Sequence, residues 1–287
     1  MITLSHAMVL AAGLGTRMRP LSAAMPKPLL PLAGRSLLDH ALDRLTDAGV
    51  ANTVVNAHWL ADQVADCVAA RSAPRITLQR EETLLETGGG VKRALPALGD
   101  APFAVVNGDA FWLDGPYPAL TRLAAAFDAE RMDGLLLLIR TAQIAGEVGR
   151  GDFMLDPMGA IRRPEEGEVS PYLFGGVQIL SPALFVEAPS GAFSLNRLYN
   201  RAIEAAEKAT AEKYPEVWGD PSKLKQVVSY FIFRGTRAVL DGNVNNARFY
   251  ASRACYFEEY IAVFLLKTKA KADATKVAEL FSADERT

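Results

Sequence analysis

The sequence predicts an α/β fold: a Rossmann-like, mostly parallel sheet with helices on both faces, followed by an all-helical C-terminal segment. Two observations carry this prediction. Short apolar runs alternate with amphipathic segments along residues 2–206, which is the order of strands and helices in a parallel sheet. Residues 207–287 show helical periodicity instead. The chain has 287 residues, half of them hydrophobic and 22% charged, which is long enough for one large domain or two smaller ones.

The first predicted strand, Met8–Ala12, ends in a glycine-rich turn that contains Gly13 and Gly15. Glycines permit a tight turn and leave backbone N–H groups uncovered, and such groups form a cradle for phosphate. Arg17 and Lys27 add positive charge nearby, and prolines on both sides stiffen the backbone of Lys27. The combination predicts a nucleoside triphosphate site. A Gly-x-Gly turn without a ligand is the alternative.

The elements that follow are predicted from their period of 3.6 or from short apolar runs. Ser36 is the expected N-cap of the first helix. The predicted helices are 36–45, 60–70, 91–98 and 118–127, and the predicted strands are 53–57, 76–79, 103–107, 134–139 and 173–180.

Three loops leave the carboxyl ends of predicted strands: 13–17, 86–90 and 107–110. Ligands of parallel sheets bind at that edge. Three consecutive glycines in the second loop would let the backbone lie flat against a planar base or sugar, although a flexible turn is the alternative. Asp109, at the tip of a buried strand, is placed to bind a hard cation such as Mg²⁺. It could also simply cap the next turn.

The string L-A-A-G-L-G-T-R-M-R-P-L, with P-K-P and V-N-G-D further on, resembles the signature of the sugar-1-phosphate nucleotidyltransferases, or NDP-sugar pyrophosphorylases. The resemblance covers about residues 2–206. The forms E-T-G-G-G at 86–90 and G-R-G-D-F at 149–153 look most like the branch that acts on N-acetylmuramate 1-phosphate with UTP. The resemblance implies a transferase that makes an NDP-sugar and pyrophosphate, and in this branch the NDP-sugar is UDP-N-acetylmuramate for peptidoglycan recycling.

The resemblance also implies roles for individual residues of this chain. Arg17, Lys27 and Asp109 would be catalytic, and Asp109 would hold Mg²⁺. The nucleotide-binding residues would be Ala11, Ala12, Gly13, Gly15, Thr16, Thr87, Gly88 and Asn107. The residues near the sugar phosphate would be Gly151, Asp152, Arg163 and Gly176. For Asp152 a turn residue is an equal alternative.

The match is incomplete in two places. Many relatives carry Glu-Lys-Pro where this chain has Arg162-Arg163-Pro164, so Arg163 keeps a cation but the glutamate is lost. Relatives also carry W-x-D-V-G-T-P, whose aspartate is a second metal ligand. The nearest stretch here is Trp218-Gly219-Asp220, which makes Asp220 the candidate second ligand. Two rival functions therefore stay open: another sugar 1-phosphate with GTP or dTTP, and a nucleotide-binding scaffold without turnover.

The sequence divides into a nucleotidyltransferase domain at 1–206 and a C-terminal segment at 207–287. Lysine is rare before residue 208 and frequent after it, which indicates a fused or exchanged segment. Helices are predicted there at 195–213, 222–241, 245–271 and 274–281, with homo-oligomerisation through them as one role.

Composition narrows the partners. A net charge of −2 gives no reason to expect nucleic acid or an acidic membrane, so a nucleoside triphosphate and a sugar 1-phosphate are the expected partners. We find no signal-peptide pattern and no run of 18 apolar residues. Cys67 and Cys255 match no metal spacing and are typical of thiols in a reducing compartment. The expected location is the cytoplasm.

Overall fold

A computed structural model describes residues 2–144, 149–155, 161–213 and 261–266. The strands are β1 (His6–Leu10), β2 (Pro31–Leu32), β3 (Arg35–Ser36), β4 (Asn52–Ala57), β5 (Arg75–Arg80), β6 (Phe103–Asn107), β7 (Met132–Arg140), β8 (Met154–Leu155), β9 (Ile161–Arg162), β10 (Tyr172–Leu180) and β11 (Ile261–Leu266). The helices are α1 (Leu37–Asp47), α2 (Ala61–Ala69), α3 (Glu86–Leu98), α4 (Ala119–Ala126) and α5 (Asn196–Lys213).

Seven of the described strands form one sheet in the order β11-β7-β10-β6-β1-β4-β5. The strands β5, β4, β1 and β6 pair in parallel. β10 is antiparallel to both β6 and β7, so β7 shares the direction of β6 and five of the seven strands run the same way. The predicted mostly parallel sheet is confirmed.

Helices cover both faces of this sheet, as predicted. Alternate residues of β1 show why, because Val9 packs with the core on one face and Met8 with the core on the other. The first core includes buried leucines and valines of α1, α2 and α4. The second includes those of α3 and α5.

The start of α1 is the one that the sequence predicts. Ser36 is the N-cap, and its Oγ accepts a hydrogen bond from the N–H of Asp39 at 2.9 Å. Leu38, Leu42 and Leu45 face the core at helical spacing. The start of α3 is different. It begins at Glu86, five residues before the predicted Val91, so the three glycines lie inside the helix.

The C-terminal prediction is partly corrected. α5 confirms the helix predicted over 195–213. Residues 261–266, predicted as part of a helix over 245–271, instead form β11 and pair antiparallel with β7. A short apolar run such as I-A-V-F-L-L satisfies either structure, and the otherwise unpaired edge of β7 provides backbone partners that favour the strand.

Other C-terminal predictions lie outside the described residues: the helices 222–241 and 274–281 and the remainder of 245–271. The division at residue 206 stays a prediction, although that residue lies within α5. No helix in the described part of the chain is long and apolar enough to cross a bilayer.

Candidate active site

A cleft of about 500 Å³ opens at the carboxyl ends of β1 and β6. It lies where three loops converge: the loop after β1, the loop before α3 and the loop after β6. Its walls are formed by Leu10, Ala12, Gly13, Leu14, Gly15, Thr16, Arg17, Met18, Lys27, Pro28, Asn56, Leu84, Glu86, Thr87, Asn107, Asp109 and Ser194. The structure thus brings together all three predicted catalytic residues and most of the predicted nucleotide-binding ones.

The loop after β1 is closed by a buried serine that sequence reasoning missed. Ser22, which is 1% exposed, donates a hydrogen bond from its Oγ to the carbonyl of Gly15 at 2.5 Å. Gly15 has φ +61°, and a Cβ there would lie 3.0 Å from that of Ser22 and 3.3 Å from that of Lys27. Gly13 differs, because a Cβ there would meet no described atom within 4 Å. Gly15 therefore shapes the loop, and Gly13 leaves open space beside the cleft.

Ala11 supports this loop from behind. It is buried, and its N–H donates to Oδ1 of Asn56 at 2.8 Å. It is not part of the cleft wall, so its contribution is to fix where Ala12 and Gly13 begin.

Asp109 and Lys27 both line the cleft and form an ion pair between Oδ2 and Nζ. Both side chains are about one-third exposed. Gly108 brings Asp109 close to β1, since its N–H donates to the carbonyl of Leu10 at 2.9 Å and a Cβ there would lie 2.9 Å from the same oxygen. A larger residue at 108 would push the carboxylate away from the glycine loop.

The donor set fits a cation that is held mainly by substrate. Asp109 and Glu86 are the carboxylates of the described cleft wall, and no group of three potential metal ligands occurs in the described ranges. The Lys27 ammonium already rests on Asp109, so this carboxylate accommodates a cation. One or two carboxylates completed by phosphate oxygens and water are an ordinary site for Mg²⁺. Asp220, the predicted second ligand, lies outside the described residues.

The start of α3 is held by the segment 191–195. The N–H groups of Gly88 and Gly89 both donate to the carbonyl of Phe193, at 2.8 and 3.1 Å. A Cβ on Gly88 would lie 2.3 Å from the Phe193 ring, and one on Gly89 would lie 2.4 Å from the carbonyl of Gly191. These glycines therefore admit another part of the chain, not a flat ligand. Gly88 is not among the residues that line the cleft, and its nucleotide-binding role stays a prediction.

Residues beside these glycines do face the cleft. Thr87 lines it, and the Thr87 Oγ1 accepts a hydrogen bond from the N–H of Leu195 at 2.9 Å. Glu86 also lines the cleft, and its backbone has φ +57°, a conformation that residues other than glycine rarely adopt. Ser194 lines the cleft as well. Sequence reasoning placed the loop 86–90 at this edge without giving Glu86 a role, and it missed Ser194 as a cleft residue.

The predicted sugar-phosphate residues lie outside the described cleft wall. Arg163 donates from Nη2 to Asn196 Oδ1 at 2.7 Å, from Nε to Asn200 Oδ1 at 2.9 Å and from Nη1 to the carbonyl of Asp152 at 3.2 Å. Its guanidinium carbon lies 4.2 Å from the centre of the Phe153 ring. Burial lowers the pKa of Arg163 below its ordinary value, against the opposing charge of Asp152.

The other three predicted sugar-phosphate residues contact neighbouring parts of the chain. Oδ2 of Asp152 accepts from the N–H of Phe174 at 2.8 Å. Gly151, at φ +70°, is packed so that a Cβ would lie 2.6 Å from the carbonyl of Ser170. Gly176, at φ +76°, lies beside Asn107, since a Cβ there would be 3.2 Å from its Nδ2. Gly176 thus borders the cleft.

Comparison with known proteins agrees with this geometry. The model of a MobA-like NTP transferase domain matches residues 7–146. The chain is 44% identical over 224 residues to N-acetylmuramate α-1-phosphate uridylyltransferase of Caulobacter vibrioides, covering 75% of this chain and 92% of that enzyme. The chain belongs to the sugar-1-phosphate nucleotidyltransferase family. A second uridylyltransferase of the same name, from Neisseria meningitidis, is 35% identical over 217 residues, 75% of this nucleotidyltransferase and 91% of its relative.

Solved structures show the same fold at low identity. The inositol-1-phosphate CTP transferase of T. maritima superposes with a TM-score of 0.59 and 17% identity, over 71% of this nucleotidyltransferase and 82% of that chain. HddC from Yersinia pseudotuberculosis, complexed with GMP-PN, superposes with a TM-score of 0.53 and 22% identity, over 67% of this nucleotidyltransferase and 83% of that chain. The C-terminal part of this chain lies beyond the residues matched by the family model.

Proposed function

We propose that this nucleotidyltransferase transfers a uridylyl group from UTP to N-acetylmuramate 1-phosphate, giving UDP-N-acetylmuramate and pyrophosphate. The observation that carries the proposal is the cleft itself. It joins the glycine loop, the Lys27–Asp109 pair and Thr87 on a chain that is 44% identical to an enzyme of that activity. The partners are thus a nucleoside triphosphate and a sugar 1-phosphate, and a cytoplasmic location, where nucleotides are made and used, is part of the proposal.

The reaction needs position and charge more than proton transfer. An oxygen of the sugar phosphate forms a bond to the α-phosphorus, and the bond from that phosphorus to the bridging oxygen breaks. Pyrophosphate leaves with the electron pair. The nucleophile is already an anion, so no general base is required, and the protein has to align the two substrates and offset their negative charge.

The glycine loop supplies the triphosphate site in this proposal. Backbone groups of Gly13, Gly15 and Thr16 bind the phosphates, and the Ser22–Gly15 hydrogen bond keeps the loop in shape. Arg17, at the cleft wall, stabilises the charge that develops on the leaving pyrophosphate. Ala12, Thr87 and Asn107, which also line the cleft, contact the nucleoside.

Lys27 and Asp109 handle charge at the point of transfer. We assign Mg²⁺ to Asp109, together with phosphate oxygens, where it would neutralise negative charge on the triphosphate. Lys27 moves from Asp109 to the phosphates once the nucleotide is bound, because it is the one lysine that lines the described cleft. It then lies between the nucleotide and the incoming sugar phosphate.

The sugar phosphate is assigned to Arg163. Its guanidinium is held by Asn196 and Asn200, on the helix that follows the cleft residue Ser194, so it is oriented before substrate arrives. Asp152 and Gly151 hold the neighbouring backbone, and Gly176 leaves room beside Asn107. Homo-oligomerisation through the C-terminal residues stays a prediction.

A panel of substrates tests this function. Pyrophosphate release is measured with Mg²⁺ for UTP, CTP, GTP and dTTP, each with the 1-phosphates of N-acetylmuramate, N-acetylglucosamine, glucose and mannose. We expect UTP with N-acetylmuramate 1-phosphate to give the highest kcat/KM. A preference of about tenfold or more for another pair, or nucleotide binding without any release, would contradict the proposal.

A further inference from the structure

Two buried side chains bridge the back of the cleft. Asn56, on β4, and Glu81, just after β5, are 2% and 4% exposed. Asn56 accepts from the N–H of Ala11 at 2.8 Å and donates from Nδ2 to Oε1 of Glu81 at 2.8 Å. The Glu81 Oε2 accepts from the N–H of Leu85 at 3.0 Å. The bridge thus joins the start of the glycine loop to the residue just before α3.

The order of donors and acceptors makes a carboxylate necessary at position 81. Both ends of the bridge, Ala11 and Leu85, are backbone N–H donors. Asn56 can accept at one end only if its NH₂ donates at the other, so the next side chain must accept on both of its sides. A glutamine at 81 would always turn an NH₂ group toward a donor.

Glu81 is buried, and burying a carboxylate costs free energy unless the carboxylate is paired or hydrogen-bonded. No ion pair joins Glu81 to a lysine, arginine or histidine of the described chain within 4.0 Å, although Gln79 adds a longer contact at 3.4 Å. An uncompensated buried carboxylate is stabilised only by the hydrogen bonds it accepts. An apolar side chain at this position would leave the Nδ2 group of Asn56 and the N–H of Leu85 without an acceptor.

The third glycine of the G-G-G run belongs to the same arrangement. A Cβ on Gly90 would lie 2.9 Å from Nδ2 of Asn56 and 3.0 Å from Oε1 of Glu81. Gly90 therefore lets α3 approach the bridge. The carbonyl of Gly90 also accepts from Nε2 of Gln79 at 3.1 Å, which ties the helix to β5.

We propose that Asn56 and Glu81 are positioning residues that set the spacing between the triphosphate-binding loop and the start of α3. The inference rests on the proposed function, because it matters only if one ligand spans both walls. Ala12 and Gly13 follow the anchored Ala11, and Glu86 follows the anchored Leu85. In the proposed function a nucleotide would contact both the glycine loop and the start of α3, whereas a bare triphosphate would contact the glycine loop, Lys27 and the cation on Asp109 but not the start of α3.

Exchanging the two groups is the decisive test. Glu81→Gln leaves two donors facing each other, and Asn56→Asp leaves two carboxylates facing each other. In the double variant Asn56→Asp/Glu81→Gln, the new carboxylate at position 56 would accept from Ala11 and from the new amide at position 81, whose oxygen would accept from Leu85. The main bridge is restored with its polarity reversed in the middle, and only the long Gln79 contact is lost. Tyr199→Phe is the control, since it removes a buried hydrogen bond to Gln178 away from the cleft wall.

The readout is the affinity of the whole protein for UTP and for tripolyphosphate, measured by calorimetry with Mg²⁺ and without sugar phosphate. We expect Glu81→Gln to weaken UTP binding by about tenfold or more and tripolyphosphate by only about twofold. The double variant should recover most of the UTP affinity. Tyr199→Phe should change thermal stability without changing the ratio of the two affinities.

Three results would overturn the inference. They are unchanged UTP affinity in Glu81→Gln, equal losses for UTP and tripolyphosphate, and a double variant that binds or folds no better than the single ones. These outcomes leave the proposed function intact if the wild type binds UTP. A wild type that binds no nucleoside triphosphate overturns both. If it prefers another nucleotide, the proposed substrate is wrong and the same comparison is made with that nucleotide.

Discussion

The two halves of the proposed site are built from different kinds of group. The nucleotide half lines one cleft at the carboxyl ends of parallel strands, and it comprises the glycine loop, Lys27, Leu84, Glu86, Thr87, Asn107 and Asp109. The sugar-phosphate half comprises Gly151, Asp152, Arg163 and Gly176, where the charged groups are already engaged with neighbouring chain. The first half is a shaped backbone with open space, and the second is a set of braced side chains.

This difference indicates how the two substrates would be recognised. The nucleotide half depends on where the backbone runs, and buried groups such as Ser22, Asn56 and Glu81 fix that path. The sugar-phosphate half depends on a single braced cation, Arg163. Changes to the buried groups that fix this backbone should therefore affect folding and nucleotide binding together, whereas loss of the Arg163 side chain should affect the acceptor alone.

The largest expected effect follows loss of the cleft carboxylate. Asp109→Ala should reduce turnover by about 10² to 10⁴, because the cation would lose its protein ligand and Lys27 its partner. Pyrophosphate release with saturating substrates measures this. Asp100→Ala, a change of an exposed carboxylate, is the control and should stay near wild type. An intact rate in Asp109→Ala would remove Asp109 from the reaction.

A pair of glycine variants separates packing from ligand space in the nucleotide half. Gly88→Ala should lower the free energy of unfolding by about 1–3 kcal/mol, because its Cβ would overlap the Phe193 ring. Gly13→Ala has open space and should leave unfolding nearly unchanged while raising the KM for UTP. Denaturant unfolding and steady-state kinetics on both variants check this. Equal stability losses would show that the glycines do not differ in role.

The sugar-phosphate half is tested through Arg163. Arg163→Ala should raise the KM for the sugar 1-phosphate by about tenfold and leave the KM for UTP unchanged, because only the acceptor loses a charge partner. Arg162→Ala is the matched control, as this neighbour pairs with Glu168 instead. A rise in the KM for UTP of the same size would join the two halves into one unit.

The smallest effect concerns the Arg162–Glu168 pair. Hydrogen bonds from Arg162 and from the N–H of Glu165 lower the pKa of Glu168 to about 2, below its ordinary value of 4.5. Because the pKa of Glu168 is lower in the folded than in the unfolded protein, its ionised carboxylate stabilises the fold at pH values above 4.5. That stability is lost as the pH falls from 4.5 toward 2. The difference in Tm between wild type and Glu168→Gln should therefore shrink over this range. A difference that is constant with pH would contradict the assignment.

What the sequence predicted depends on how local each signal is. Gly13, Gly15, Lys27 and Asp109 lie in short runs whose chemistry is visible from their neighbours, and the structure brings them into one cleft. The cap at Ser36 was predictable for the same reason. The alternation of short apolar runs with amphipathic segments likewise predicted the mostly parallel sheet.

The rest depended on partners that are distant in sequence. The glycines at 88–90 were expected to face a ligand, but the groups that require them are Phe193, Gly191 and the Asn56–Glu81 bridge. Residues 261–266 form a strand because β7 offers an edge more than a hundred residues earlier. The local sequence alone does not distinguish a packed glycine run from a flexible turn, or a short apolar strand from a helix.

The most direct test of the account is equilibrium binding of UTP in the absence of sugar phosphate, compared among wild type, Arg17→Ala and Arg163→Ala. We expect the wild type to bind UTP, Arg17→Ala to bind it about tenfold or more weakly, and Arg163→Ala to bind it like the wild type. UTP affinity that falls as far in Arg163→Ala as in Arg17→Ala would contradict a nucleotide site formed by the glycine loop independently of the sugar-phosphate half.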